Sequence, residues 1–189
     1  HLLAIGRSGN RAEPTRLRVV PDIDYVGDGN PRHRLTLALP LESSEERLLP
    51  IIVYIHGGAW LEGDHHQGVG VIRSLVGTGR FIGASIGYRL TGEAGWPAQI
   101  HDCKAAIRWI RANAVSLGVD PERIAVMGHS AGGHLSAMLG LAGSAENGLD
   151  GALGLHTGVS SRVAVAINFF GPSDLLSMQS QMPLDGVIQ

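Results

Sequence analysis

The chain has 189 residues, of which 44% are hydrophobic and 17% charged, enough apolar material for one sizeable core. A formal net charge of -2 gives no electrostatic basis for binding nucleic acid or an anionic membrane, and no apolar run approaches the roughly 20 residues of a membrane-spanning helix. A lone cysteine, Cys103, excludes an internal disulfide framework, and Lys104 is the only lysine.

Residues 1–14 read as an irregular leader. Its apolar stretch Leu2-Leu3-Ala4-Ile5 is too short for a complete signal-peptide core, and a start at His1 implies a processed terminus or an excerpt of a longer product. Residues 16–26 alternate as a strand interrupted at Pro21, Gly27-Asp28-Gly29-Asn30 is turn chemistry, and residues 33–39 alternate with Leu35, Leu37 and Leu39 on one face. This predicts an antiparallel hairpin with one face wet, followed by a polar loop over 40–50. The pattern then changes. Ile51-Ile52-Val53-Tyr54-Ile55 is continuous, apolar and rich in β-branched residues, as in a strand of a parallel sheet buried on both faces. A helix is predicted over 67–79 and a strand over 81–86.

The clearest helix spans residues 97–116. Pro97 suits its first turn, Ala98, Ala105, Ala106, Ile107, Trp109, Ile110 and Ala114 give it an apolar side, and Leu117-Gly118 ends it. After Asp120-Pro121 comes another apolar run, 124–127, then a sharp turn and a helix with Leu135, Met138 and Leu139 at helical spacing. A glycine-rich loop over about 140–160 leads to 163–170, VAVAINFF, predicted as one more buried strand. Strands alternating with helices imply an α/β fold, a mostly parallel sheet of about six strands entered through an antiparallel hairpin, with no repeats and no domain linker.

Two turns carry chemistry. Gly128-His129-Ser130-Ala131-Gly132 is a G-x-S-x-G pattern between a strand and a helix. A serine on such an elbow holds its hydroxyl clear of the backbone, the flanking glycines allow close approach, and the helix start behind it favours developing negative charge. At the end of the first buried strand stands His56-Gly57-Gly58-Ala59-Trp60. Attack on an ester carbonyl puts negative charge on oxygen, which preorganised N–H groups must meet. A loop of small residues can present such groups unobstructed. In an open α/β sheet both turns lie at the carboxyl ends of strands and are expected to face each other. Ser130 is therefore the candidate nucleophile. The amides of Gly58, Ala59 and Ala131, with Gly57 beside them, are the candidate oxyanion hole. The bland alternative is a pair of ordinary glycine turns.

These residues carry a resemblance. HGGAW at 56–60, GYRL at 87–90, WPAQIHDCKAAIRWIRANA at 96–114, DPERIAVMGHSAGGHLSAM at 120–138 and FFGPSDL at 169–175 resemble the α/β-hydrolase superfamily. They are most similar to its carboxylesterase branch of hormone-sensitive-lipase-like and bacterial feruloyl-esterase-like proteins. The likeness covers roughly residues 18–176, and Ala59, in place of a third glycine, favours the feruloyl-esterase-like side. It implies an α/β-hydrolase fold and hydrolysis of carboxylic esters by Ser130, with no metal or organic cofactor. The implied substrates run from short acyl esters to acetylated or feruloylated plant polysaccharide fragments.

The superfamily's triad order is Ser, then Asp or Glu, then His. After Ser130 the chain offers His134, expected to pack within its helix, and His156, upstream of the last strand; beyond that strand the acids are Asp174 and Asp185, with no histidine after either. The expectation is that residues 15–189 are roughly the N-terminal two-thirds of a single α/β-hydrolase domain, with the C-terminal strands missing. A missing segment or a second chain would then supply the triad acid and histidine. Two alternatives stay open: a non-catalytic hydrolase-like binding module or inactive fragment, and another acyl hydrolase such as a peptidase or formamidase.

Among lesser candidates, the pair His65-His66, with His56, suggests a metal, but no third ligand at suitable spacing supports it, so a solvated loop is expected. Asp64 is placed as a cap of the following helix, His129 as either a substrate contact or filler, and Trp60 as either pocket lining or core. Asp102 and Arg108 are expected to make structural bonds and Cys103 to pack.

Overall fold

The computed structural model describes residues 17–41, 47–142 and 148–181; the leader predicted over 1–14 and the acid Asp185 lie outside the described residues. The predicted hairpin is present: β1 (Leu17–Asp24) pairs antiparallel with β2 (Arg34–Pro40). Its turn is organised by the Asp24 carboxylate, which accepts hydrogen bonds from the amides of Val26, Gly27 and Gly29 at 3.0, 2.7 and 2.8 Å. Pairing runs Val20 with Leu37 and Ile23 with Leu35, so Pro21 and Asp22 together oppose Thr36 in a β-bulge, with Asp22 at φ 60°. Pro21 is tolerated because β1 is the edge strand.

The remaining elements are β3 (Leu49–Ile55), α1 (Gly68–Val76), β4 (Ile82–Ile86), α2 (Ala98–Ala112), α3 (Ala114–Leu117), β5 (Val119–His129), α4 (Ala131–Leu141), β6 (Val165–Phe169) and α5 (Met178–Gln181). The sheet order is β1-β2-β4-β3-β5-β6, with β2 antiparallel to β4, and the pairs β3/β4, β3/β5 and β5/β6 parallel. This is the mostly parallel sheet with an N-terminal antiparallel hairpin that the sequence predicts.

Helices cover both faces. Ile72 and Val76 of α1 pack on Ala38, Ile52, Tyr54 and Met127. A side chain at Gly83 of β4 would meet Ile72 Cδ1 at 2.6 Å and Val76 Cγ2 at 2.7 Å, so glycine there lets α1 settle close to the sheet. On the other face Ile100, Ile107 and Ile110 of α2 and Leu135 and Leu139 of α4 join Leu35, Ile51, Val53, Ile55, Ile124 and Val126 in the main core.

Five expectations need correction. The hairpin does not keep a wet face along β2: Leu35, Thr36, Leu37 and Ala38 are all buried, because β2 lies between β1 and β4 and α1 covers its second side. The helix predicted over 97–116 breaks at Asn113, whose φ of -101° and ψ of 10° leave the helical region and whose side-chain amide joins its own backbone N–H on the Trp109 carbonyl, at 2.8 and 3.1 Å. Pro97 caps α2 from outside the first turn, while Gly118, at φ 71°, ends α3 in the left-handed conformation that suits glycine. Asp64 does not cap α1. That helix has no side-chain cap, and the Asp64 carboxylate accepts the His66 amide instead. Finally, β6 is not buried: all five of its residues are exposed, since it is the last strand of the sheet among the described residues.

The polar side of α2 is not solvated either. Asp102 takes the Arg89 guanidinium at 2.7 Å and stands 3.3 Å from His33 Nε2; Arg108 donates to the carbonyls of Asp150 at 2.8 Å and Leu153 at 3.2 Å. The Lys104 ammonium donates to the Ala142 carbonyl at 2.6 Å and to Asp150 at 2.5 Å. Asp102 and Arg108 thus make the structural bonds expected of them. Cys103 packs, and burial pushes its thiol up.

Candidate active site

Strands β3 and β5 are parallel neighbours, with Ile55 paired to Gly128. The residues that follow each strand therefore leave the sheet side by side at the same end. Gly132 sits where the two turns touch. A Cβ there would overlap the Ile55 carbonyl oxygen and lie 2.5 Å from that of His56. Gly57 shows the same closeness from the other side, since its Cβ would stand 2.8 Å from His129 Nε2 and 2.9 Å from the His129 carbonyl. Backbone against backbone is possible here only because both positions lack a side chain.

Ser130 occupies the elbow at φ 53°, ψ -123°, a sparsely populated conformation for a residue with a side chain, which costs about 1–3 kcal/mol. The surroundings hold it there: its amide donates to the Phe169 carbonyl at 3.0 Å, and its carbonyl accepts the His134 amide at 3.0 Å. Its hydroxyl makes no hydrogen bond among the described residues. Helix α4 starts at Ala131, so the first free N–H groups of that helix lie directly beside the hydroxyl-bearing residue.

The facing loop turns through three successive left-handed residues, Gly58 at φ 108°, Ala59 at φ 52° and Trp60 at φ 60°. The Gly58 carbonyl is consumed by the amides of Leu61 at 2.8 Å and Glu62 at 3.1 Å. The amides of Gly58, Ala59 and Ala131 donate to nothing among the described residues. Thr91 ties the loop down by donating its amide to the Trp60 carbonyl at 2.8 Å.

The flanking side chains are fixed. The buried His56 ring stacks on Tyr88 at 4.2 Å and its Nδ1 donates to the Gly57 carbonyl at 2.8 Å, while the Tyr88 hydroxyl donates to the His56 carbonyl at 3.0 Å. Burial pushes the His56 ring down to about 4, so it is neutral and serves as scaffold. His129 Nδ1 lies 2.5 Å from the Tyr54 hydroxyl. His134 packs, as expected, edge-on to Trp60 at 5.4 Å and beside Trp96 at 5.8 Å, and burial lowers its pKa. Its buried Nδ1 and the Trp60 Nε1 have no hydrogen-bond partner among the described residues.

Neither late candidate is hydrogen-bonded to Ser130 among the described residues. The His156 carbonyl accepts the Val159 amide within its own loop. The exposed Asp174 accepts from Leu176 and Ser177, which holds its carboxyl below the usual range. Sequence reasoning missed the brace behind the site: Asp102 accepts from the Arg89 backbone at 2.8 Å as well as from its guanidinium, and Gln99 donates to the Arg89 carbonyl at 3.1 Å. All three residues fall inside quoted motifs, yet their spacing in the chain does not reveal the contacts.

The BD-FAE family model matches residues 35–187. Carboxylesterase NlhH of Mycobacterium tuberculosis (strain CDC 1551 / Oshkosh) is 46% identical over 91 residues, 48% of this chain and 28% of that protein. A truncated form of carbohydrate esterase from gut microbiota superposes with a TM-score of 0.80 at 34% identity, over 89% of this chain and 62% of the other. Esterase 2 of Thermogutta terrifontis phosphonylated by sarin superposes with a TM-score of 0.68 at 26% identity, over 88% of this chain and 58% of the other.

Proposed function

The chain belongs to the BD-FAE family and has the α/β-hydrolase fold, and from that premise we propose that it is a serine carboxylester hydrolase working through an acyl-enzyme on Ser130. The observation that carries the proposal is the contact of the elbow with the loop after β3, forced by Gly132 against the carbonyls of Ile55 and His56. It sets a strained serine beside amides that have no other partner among the described residues.

In the proposed reaction Ser130 Oγ bonds to the acyl carbon and the carbonyl π pair moves onto oxygen. The amides of Gly58, Ala59 and Ala131, next to Gly57, receive that charge; one such donor contributes about 2.7–4 kcal/mol to the transition state. Collapse expels the alcohol, and water then attacks the acyl-enzyme. The Ser130 proton needs a base oriented by an acid. Since no side chain of His134, His156 or Asp174 is hydrogen-bonded to Ser130, the proposal assigns both roles to residues other than the described ones. Residues 15–189 then form one part of a single hydrolase domain. The substrate class is a small carboxylic ester.

The test is intact-protein mass spectrometry before and after a fluorophosphonate probe. One adduct on Ser130, absent in Ser130→Ala, is the expected result. A folded protein that takes no adduct overturns the proposal and favours a hydrolase-like binding module or an inactive fragment. Labelling with turnover of amides but not esters would make it a peptidase or formamidase instead.

A further inference from the structure

The pair His65-His66, alone in sequence, gains a third neighbour in space. His65 Nε2 lies 3.0 Å and His66 Nε2 3.7 Å from Asp22 Oδ1, and the three ligand atoms all fall within 4.8 Å of one another. Asp22 comes from 43 residues upstream of His65, which is why spacing along the loop does not reveal it. We propose that Asp22, His65 and His66 form a divalent transition-metal site of the zinc class, clipping the loop after β3 to the bulge of β1.

The donor chemistry selects the ion. Two imidazole nitrogens and one carboxylate oxygen suit zinc and its first-row neighbours, whereas calcium and magnesium call for a shell of oxygens. The spacing fits as well. Ligand atoms about 2.0–2.1 Å from one tetrahedral ion stand about 3.3–3.4 Å apart, between the two distances to Asp22. The fourth position is left to water. His56, the other histidine of the loop, is excluded because its ring is stacked on Tyr88.

Local structure aims the ligands. The bulge opposite Thr36 places Asp22 in a left-handed conformation, and bulges commonly re-aim a side chain in this way. The Asp64 carboxylate holds the His66 amide at 2.8 Å, and the two imidazole rings stand 4.0 Å apart. The Arg34 guanidinium is 3.8 Å from Asp22 Oδ1, beyond hydrogen-bond reach, and can serve the second carboxylate oxygen when a metal takes the first. His65 is buried, while His66 and Asp22 are open to solvent, so an ion can enter without the fold opening. The loop that begins with Gly57, Gly58 and Ala59 ends on these two histidines, so a bound ion would anchor its far end.

The test is isothermal titration of zinc into the chelator-treated protein, with thermal unfolding alongside. The expected result is one equivalent bound, a raised Tm, and affinity reduced on the order of a hundredfold in His66→Ala and in Asp22→Asn but unchanged in His156→Ala. Cobalt in place of zinc should give the visible absorption of a tetrahedral site, lost in the same two variants. Equal zinc binding by the wild type and His66→Ala, or no saturable binding, overturns the proposal. Ser130→Ala should bind zinc normally, so this site and the proposed nucleophile stand or fall separately.

Discussion

Strand β5 has a parallel neighbour on each side, and the two live in opposite surroundings. In β3, Ile51, Val53 and Ile55 are fully buried, whereas in β6 Val165, Ile167 and Phe169 are 51%, 40% and 45% exposed. The inversion continues one residue further: His56, polar, is 0% exposed, and Phe170, apolar, is 79% exposed. Both runs are apolar. The difference is that β3 has a strand on each side and helices over both faces, while β6 is last in the sheet among the described residues. An apolar run shows that a strand can be covered; its place in the sheet decides whether it is.

The comparison can be broken most severely at the glycines of α4. Gly132→Ala pushes a methyl into the carbonyls at the end of β3, so the loss should reach or exceed the upper end of the ~1–3 kcal/mol typical of overpacking. Gly140→Ala meets the Ala166 methyl of β6 at 2.8 Å, a contact the edge strand must shift to relieve, and should cost about 1–2 kcal/mol, less than Gly132→Ala. Urea titrations of the two variants measure the contrast.

Acid sharpens it next. The His56 ring is held near pKa about 4 by burial, against 6.5 when unfolded. Folded His56 thus resists a proton that the unfolded chain accepts, so its contribution is full above pH 6.5 and is lost as pH falls toward 4, in all about 3 kcal/mol. In His56→Gln that part of the acid slope in melts between about pH 7 and pH 4 should disappear. Wild type and variant with the same slope would show that the ring is not kept neutral by the fold. The smallest effect belongs to β6. Ile167→Lys should change stability by no more than about 0.5 kcal/mol while lowering concentration-dependent light scattering, because charge on an apolar edge opposes strand-to-strand association.

Local signals made most of the fold readable from sequence. The β-branched run of β3, the turn at Gly27-Asp28-Gly29-Asn30 and the stop at Gly118 each depend on a few adjacent residues. The facing turns were legible too, because strand ends in a parallel sheet leave few other arrangements. What escaped depends on distant partners. Thr36 of β2 is buried because α1 lies over it, β6 is exposed because of its position, and Asp22 meets His65 across the fold. Asn113 interrupts a helix through its own backbone conformation, with its side chain bonded to the Trp109 carbonyl, which the apolar periodicity does not register.

Lys104, the chain's only lysine, is fully buried between the Ala142 carbonyl and Asp150. The folded surface among the described residues therefore presents no side-chain amine. Acylating reagents and trypsin cleavage after lysine can reach Lys104 only when the layer formed by α2 opens. The rate at which that one amine is modified is a built-in clock for the opening of the core, readable by mass without adding a label site.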